Sequence, residues 1–207
     1  MLWLGTSPSS HPNIAAMLDT HQIGLMCQPR SNMPKAGWVW AADNGCFNDK
    51  WDEKHWLRWL NKDLPRAGCL FATVPDVVGD HQATLERFEI YAPKVRELAF
   101  PVAFVAQDGC FDGDIPWSEF DALFIGGSTD WKMSQAAFEI AVEARDKNKW
   151  VHIGRVNSFK RLQYWSAVAH SSDGTHLKFE PEIASVRVNG WINNLRRATQ
   201  MNILGEG

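Results

Sequence analysis

Residues 167–181 read AVAHSSDGTHLKFEP, with one carboxylate, Asp173, set between two serines and a Gly-Thr pair. Asp-Gly is a common turn dipeptide, so a turn is the plain reading. The other reading is a short strand, HSSDG, that ends on an aspartate. Just upstream, residues 150–165, WVHIGRVNSFKRLQYW, read as a strand, a tight polar turn and a helix, with Asn157 or Ser158 as the N-cap. A chain returning from that helix is placed to add another strand. If HSSDG is that strand, it is the eighth.

The other seven candidates are short apolar runs bounded by turn signals: LWLGTS, IGLMCQ, WVWAADNG, CLFATVPD, PVAFVAQDG, ALFIGGS and WVHIGRV. Each suits a strand buried on both faces, as in a parallel sheet. Helical stretches separate most of them. NIAAMLDTH and DEKHWLRWLNKDL are two, GDHQATLERFEIYAPKVRELA is a long third that Pro93 should kink or restart, and WKMSQAAFEIAVEARDKN reads as a single helix. The connections after IGLMCQ and PVAFVAQDG are too short or too rich in Gly and Pro for full helices. Beyond about residue 178 the chain reads as a C-terminal tail (179–207) with one helix near GWINNLRRATQM. The expected fold is one α/β domain over residues 1–207, a compact (β/α)8 barrel with some irregular connections, small beside the roughly 250 residues usual for that fold. An open doubly wound sheet is the competitor.

Composition narrows the class. The 207 residues are 45% apolar and 22% charged, as in an ordinary globular domain, and the formal charge of −3 offers no global attraction to nucleic acid. No apolar run approaches the roughly 20 residues that span a bilayer. The N-terminal residues lack a basic and a long apolar region, so we expect a cytoplasmic protein without membrane contact. Cys27, Cys46, Cys69 and Cys110 are widely spaced with no CxxC pair, which reads as reduced thiols rather than disulfides or a zinc site. Of the 11 tryptophans, Trp38, Trp40, Trp51, Trp56 and Trp59 cluster in sequence, and packing is the expected use.

Polar residues collect at the strand ends: Asp43-Asn44-Gly45, Asp76 with Asp80-His81, Gln107-Asp108-Gly109, Gly126-Gly127-Ser128, His152 with Arg155, and Asp173. In a parallel α/β fold these ends converge on one face, where ligands bind. Each alone has a dull explanation as a turn former or a core histidine. Turns do not require acid, amide and glycine in this order at successive strand ends.

That order, ADNGCF, TVPDVVGD, FVAQDG, LFIGGS, HIGRV, SSDGT, resembles the active-site succession of the queuine/archaeosine tRNA-guanine transglycosylase superfamily. The resemblance spans roughly residues 40 to 175 and rests on order and spacing, since each motif is short. It implies Asp173 as nucleophile, Asp43 as the second catalytic carboxylate, and Asp76, Gln107, Gly126 and Gly127 as contacts to a guanine-like base. The tRNA enzymes carry a Cys-x-Cys-x-x-Cys zinc site beyond the nucleophile, whereas this chain has no cysteine after Cys110. It is more similar to the short, zinc-less branch, of phages and bacterial modification clusters, that places a 7-deazaguanine in DNA. DNA is therefore the expected polymer ahead of tRNA, with a free 7-deazaguanine base such as preQ0 as second substrate. No metal or cofactor is expected, and a homodimer is left open.

The chemistry suits the residues. Base exchange at C1′ with retention needs two displacements through a covalent intermediate. A carboxylate attacks, and a second carries a proton between the departing and incoming bases. Asp76 can accept from N1–H and the 2-amino group, Gln107 can donate to O6, and Gly127 lets a backbone N–H approach. Arg155, Ser158, Lys160 and Arg161 stand after the seventh strand as candidate phosphate contacts, though Lys160 and Arg161 equally suit a solvated helix face. Two rivals remain. One is a metal-dependent barrel hydrolase using Asp43, Asp76, Asp80, His81, His152 and Asp173. The other is a non-catalytic subunit that binds a deazapurine or DNA.

Overall fold

The computed structural model describes residues 1–6, 10–29, 31, 33–47, 51–62 and 64–205, with side chains to residue 198. Eight parallel strands close into a barrel in chain order: β1 (Leu2–Gly5), β2 (Gly24–Cys27), β3 (Trp40–Ala42), β4 (Cys69–Thr73), β5 (Val102–Ala106), β6 (Ala122–Ile125), β7 (Trp150–Ile153) and β8 (Ser171–Gly174). The weak candidate closes the ring. Its four residues pair with β1 from Leu2↔Ser171 to Gly5↔Gly174, and with β7 at His152↔Ser171 and Ile153↔Ser172. Ladder hydrogen bonds on both sides, with full burial, hold a polar strand that has little β-propensity of its own.

Among the described residues seven α-helices complete the fold: α1 (Pro12–Asp19), α2 (Glu53–Leu60), α3 (His81–Glu97), α4 (Thr129–Lys132), α5 (Gln135–Asp146), α6 (Phe159–Trp165) and α7 (Pro181–Gly205). As expected, the β2–β3 connection carries no helix among its described residues, and β5–β6 has only two single 3₁₀ turns, Asp112–Asp114 and Trp117–Glu119. Three expectations are corrected. Pro93 lies inside α3 and does not restart it, because Glu89 and Pro93 both face solvent and the carbonyl left without a donor can be hydrated. The stretch from Trp131 is two helices, since Ser134 caps α5 by accepting from the Ala137 N–H. The C-terminal helix starts at Pro181, well before Gly190. Ala184, Val188, Ile192 and Leu195 recur at helical spacing and bury one face along it.

Two apolar layers follow from strand alternation. Inside the barrel, Leu4, Met26, Ala41, Phe71, Ala103 and Ala122 pack with Phe124 and Trp150. Between barrel and helices lies the larger core, which takes in Trp3, Trp38, Trp40, Trp56 and Trp59. Packing thus accounts for the tryptophan cluster. Each fully buried large apolar side chain contributes on the order of 1.5–3 kcal/mol. Among the described residues, no helix is long and apolar enough to cross a membrane. The four cysteines are unpaired.

Candidate active site

Strand ends position the site. A small cleft of about 80 Å³ opens at the C-terminal mouth of the barrel. It is lined by Asp43, Asp76, Gln107, Gly126, Gly127, Arg155 and Asp173, together with Asn44, Phe47, Thr73, Val78, Val105 and Phe124. The catalytic and base-contact candidates therefore share one cavity. Of the four phosphate candidates only Arg155 reaches it. Ser158 caps α6 by accepting from the Arg161 N–H, Lys160 is exposed, and Arg161 lines a small side crevice with Lys132.

Asp76, buried at the end of β4, is held by two amides. Asn44 Nδ2 donates to Oδ1 at 2.8 Å, and Gln107 Nε2 donates to Oδ2. Gln107 Oε1 in turn accepts the Gly79 N–H at 2.9 Å, so this side chain is tied into the wall from both ends. Burial raises the Asp76 pKa, against the pull of these amides. Each carboxylate oxygen can accept a second hydrogen bond, which leaves Asp76 able to meet a donor pair on a ligand. Behind it, Arg87 donates to the Asp76 carbonyl at 2.6 Å.

The glycines are needed because side chains crowd them. A Cβ on Gly126 would stand 2.8 Å from Gln107 Nε2, and one on Gly127, where φ is +74°, would stand 2.3 Å from Asp108 Oδ2. Asp108 clamps the following turn, accepting from the Ser128 N–H at 2.7 Å and from its hydroxyl.

Asp43 is half-buried at the end of β3, with Oδ1 accepting weakly from the Gly45 N–H at 3.4 Å. Desolvation first, and then the negative charge of Asp173, push its pKa up to about 7. A carboxyl group so placed can both give and take a proton near neutrality. Asp173, on β8, accepts the Arg155 N–H at 2.8 Å and lies 3.3 Å from His152 Nε2. Arg155 adopts a left-handed backbone with φ +57°, donates from Nη2 to the Gly127 carbonyl at 2.6 Å, and stacks its guanidinium on Phe47 at 4.2 Å. Lys132 is buried nearby and donates to the Gly154 carbonyl at 2.9 Å. Burial, and then Arg155, lower its pKa to about 8.

Of the donors named for the metal-hydrolase alternative, Asp43, Asp76 and Asp173 line the cleft and His152 lies beside Asp173, but Asp80 and His81 stand outside it. Asp80 caps α3 by accepting from the Ala83 N–H, and His81 is buried at that helix start, nearest to Asp114 at 3.9 Å. Among the described residues, no three His, Cys, Asp or Glu side chains are grouped to hold a metal ion. Cys46, near Asp76 at the edge of the site, has its thiol pushed up to about 12 by burial and then by the Asp76 charge, so it offers no thiolate at neutral pH.

Sequence reasoning read Asn44 only as part of a turn, gave Phe47 and Lys132 no role, and weighed His152 as a core histidine or a metal ligand. The aromatic after Asp43-Asn44-Gly45 was the available signal for Phe47. Asn44 gave none, because its partner lies 32 residues away.

No family model matches this chain, and no curated protein matches it in sequence. Among solved structures it is similar to the Bacillus subtilis YkuI protein, which has an EAL domain and was solved with c-di-GMP and calcium. The identity is 13%, the TM-score 0.44, and the match covers 83% of this chain but 47% of YkuI, so the chain spans about half its length. It is also similar to an open form of tryptophan synthase from M. tuberculosis with BRD0059 bound, at 14% identity and TM-score 0.51, over 93% of this chain and 89% of the other. At such identity the likeness is one of fold alone: the chain is a compact (β/α)8 barrel.

Proposed function

We propose that this chain is a nucleic-acid guanine transglycosylase, exchanging guanine for a 7-deazaguanine base, with DNA as the polymer. The reading is carried by one observation: Asp43 and Asp173 share a cleft with Asp76, Gln107, Gly126 and Gly127. Asp173 is the nucleophile at C1′. Asp43, with its pKa near 7, gives a proton to the departing guanine and takes one from the incoming base. Asp76 accepts from the guanine-like edge, and Gly127 brings backbone close to the base. A target inside a duplex must be flipped out to reach this cleft, or be offered single-stranded.

The test is incubation with labelled guanine or preQ0 and either DNA or tRNA. Label is expected in DNA, and Asp173→Asn should abolish its incorporation while the protein stays folded. Label in neither polymer would reject the reading. Label in tRNA alone would keep the chemistry and reject the polymer.

A further inference from the structure

Among the described residues, the two hydrogen bonds to the Asp173 carboxylate fall on one oxygen. Oδ1 accepts the Arg155 N–H at 2.8 Å and faces His152 Nε2 at 3.3 Å, and Oδ2 takes neither. His152 has no exposed surface, and its ring packs against Phe71 and Phe124 with centroids 5.0 and 4.6 Å away. On its other side Nδ1 lies 2.8 Å from Ser171 Oγ, and that oxygen accepts the Trp150 indole N–H at 2.8 Å. Burial lowers the His152 pKa, so the ring is neutral and carries one N–H. A carboxylate oxygen can only accept, which places that hydrogen on Nε2. Nδ1 then accepts from the Ser171 hydroxyl, whose lone pair takes the indole hydrogen.

We infer that His152 is a positioning residue for the nucleophile. Its Nε2–H and the Arg155 N–H form a two-donor seat for Oδ1 that assigns attack to Oδ2 and makes Asp173 a good leaving group. The inference rests on the transglycosylase reading of Asp173. In the first displacement Oδ2 bonds to C1′ while the bond from C1′ to the base breaks, the electron pair leaves with the base, and Asp43 supplies the proton. Oδ1 is then an ester carbonyl, a weaker acceptor. In the second displacement the incoming base gives its proton to Asp43 and its nitrogen bonds to C1′. The C1′–Oδ2 pair returns to the carboxylate, and the returning charge spreads onto Oδ1 against two fixed donors, as in an oxyanion hole. His152 neither gains nor loses a proton.

His152→Phe keeps the packing against Phe71 and Phe124 and removes the donor, and His152→Gln retains one. Each is compared with wild type on a guanine-containing oligonucleotide, single- and double-stranded, with labelled preQ0. Exchange by His152→Phe should fall roughly 10²-fold, while the fraction of protein trapped as a sugar adduct under denaturing conditions rises, because release is slowed more than attack. His152→Gln should restore both toward wild type. Nitrogen-15 shifts of the wild-type ring should report a neutral Nε2–H tautomer, a readout that does not depend on any variant folding. An adduct on Asp173 whose fraction is unchanged or lower in His152→Phe, or a hydrogen on Nδ1 alone, would overturn the role of His152. A wild-type protein that forms no adduct would overturn the nucleophile reading itself.

Discussion

The Asn44 side chain crosses from the end of β3 to the end of β4, where its Nδ2 donates both to Asp76 Oδ1 and to the Val74 carbonyl, each at 2.8 Å. One amide thus orders the two strand ends that carry Asp43 and Asp76. Asn44→Ala leaves a buried carboxylate and a buried carbonyl without that donor. Such losses cost about 1–3 kcal/mol. Urea denaturation should show the drop, and an unchanged midpoint would mean that water replaces the amide at no cost.

Asp43 binds its proton more tightly in the folded chain, where its pKa is about 7, than in the unfolded chain, near 3.8. Its contribution to stability is complete below the lower value and is lost as pH rises through the upper one. Asp43→Asn should therefore gain stability relative to wild type as pH is raised from about 5 to about 8. If the chain is the transglycosylase proposed above, release of guanine by wild type in single-turnover assays should slow above pH of about 7, as Asp43 loses its proton. Parallel pH–stability curves for the two proteins would contradict the raised value.

The two adjacent glycines should fail differently. Gly126 has no left-handed φ, and its added Cβ meets the ends of two side chains, Gln107 Nε2 at 2.8 Å and Val105 Cγ1 at 2.9 Å. Gly126→Ala should fold but lose guanine affinity as Gln107 is pushed from Asp76. Gly127→Ala puts a methyl against the Asp108 carboxylate at φ +74°, where strain alone costs on the order of 1–3 kcal/mol. Thermal denaturation beside guanine binding by calorimetry separates the two, and equal melting temperatures would refute the distinction.

Arg155 holds a strained backbone for the sake of one N–H. A left-handed φ costs a side-chain-bearing residue roughly 1–2 kcal/mol, and glycine escapes that cost. Arg155→Ala keeps the strain and loses the contacts with Gly127 and Phe47. Arg155→Gly loses the same contacts and relaxes. The glycine variant should be the more stable by about 1 kcal/mol. The reverse order would show that φ +57° is no burden at this position.

Seven strands were legible because buried parallel strands leave unbroken apolar runs between turn formers, and the acids at their ends stood out against those runs. HSSDG carries no such signal, and its place after the strand, turn and helix of residues 150–165 marked it as a strand. What sequence did not show was who binds whom. Arg87 reaches back to the Asp76 carbonyl from a helix, and the Asn44 amide could as well have closed its own turn. The unbroken helix from Pro181 was hidden by Asn189-Gly190, whose low helix propensity is overridden by the packing of Val188 and Ile192.

A barrel of this kind ordinarily separates a reactive mouth from a floor that serves only stability. Four-residue strands leave no such interval on the β7–β8 side. The Trp150 indole stacks on His170 toward the N-terminal end of these strands, 4.7 Å between centroids, and His170 interacts with Arg145 from α5. From that indole, two hydrogen-bonded side chains lead to a carboxylate oxygen at the mouth. On the transglycosylase reading, surface redesign at the N-terminal end of these strands, or a partner that seats there and shifts Trp150, would act on the chemistry at the opposite face without touching it.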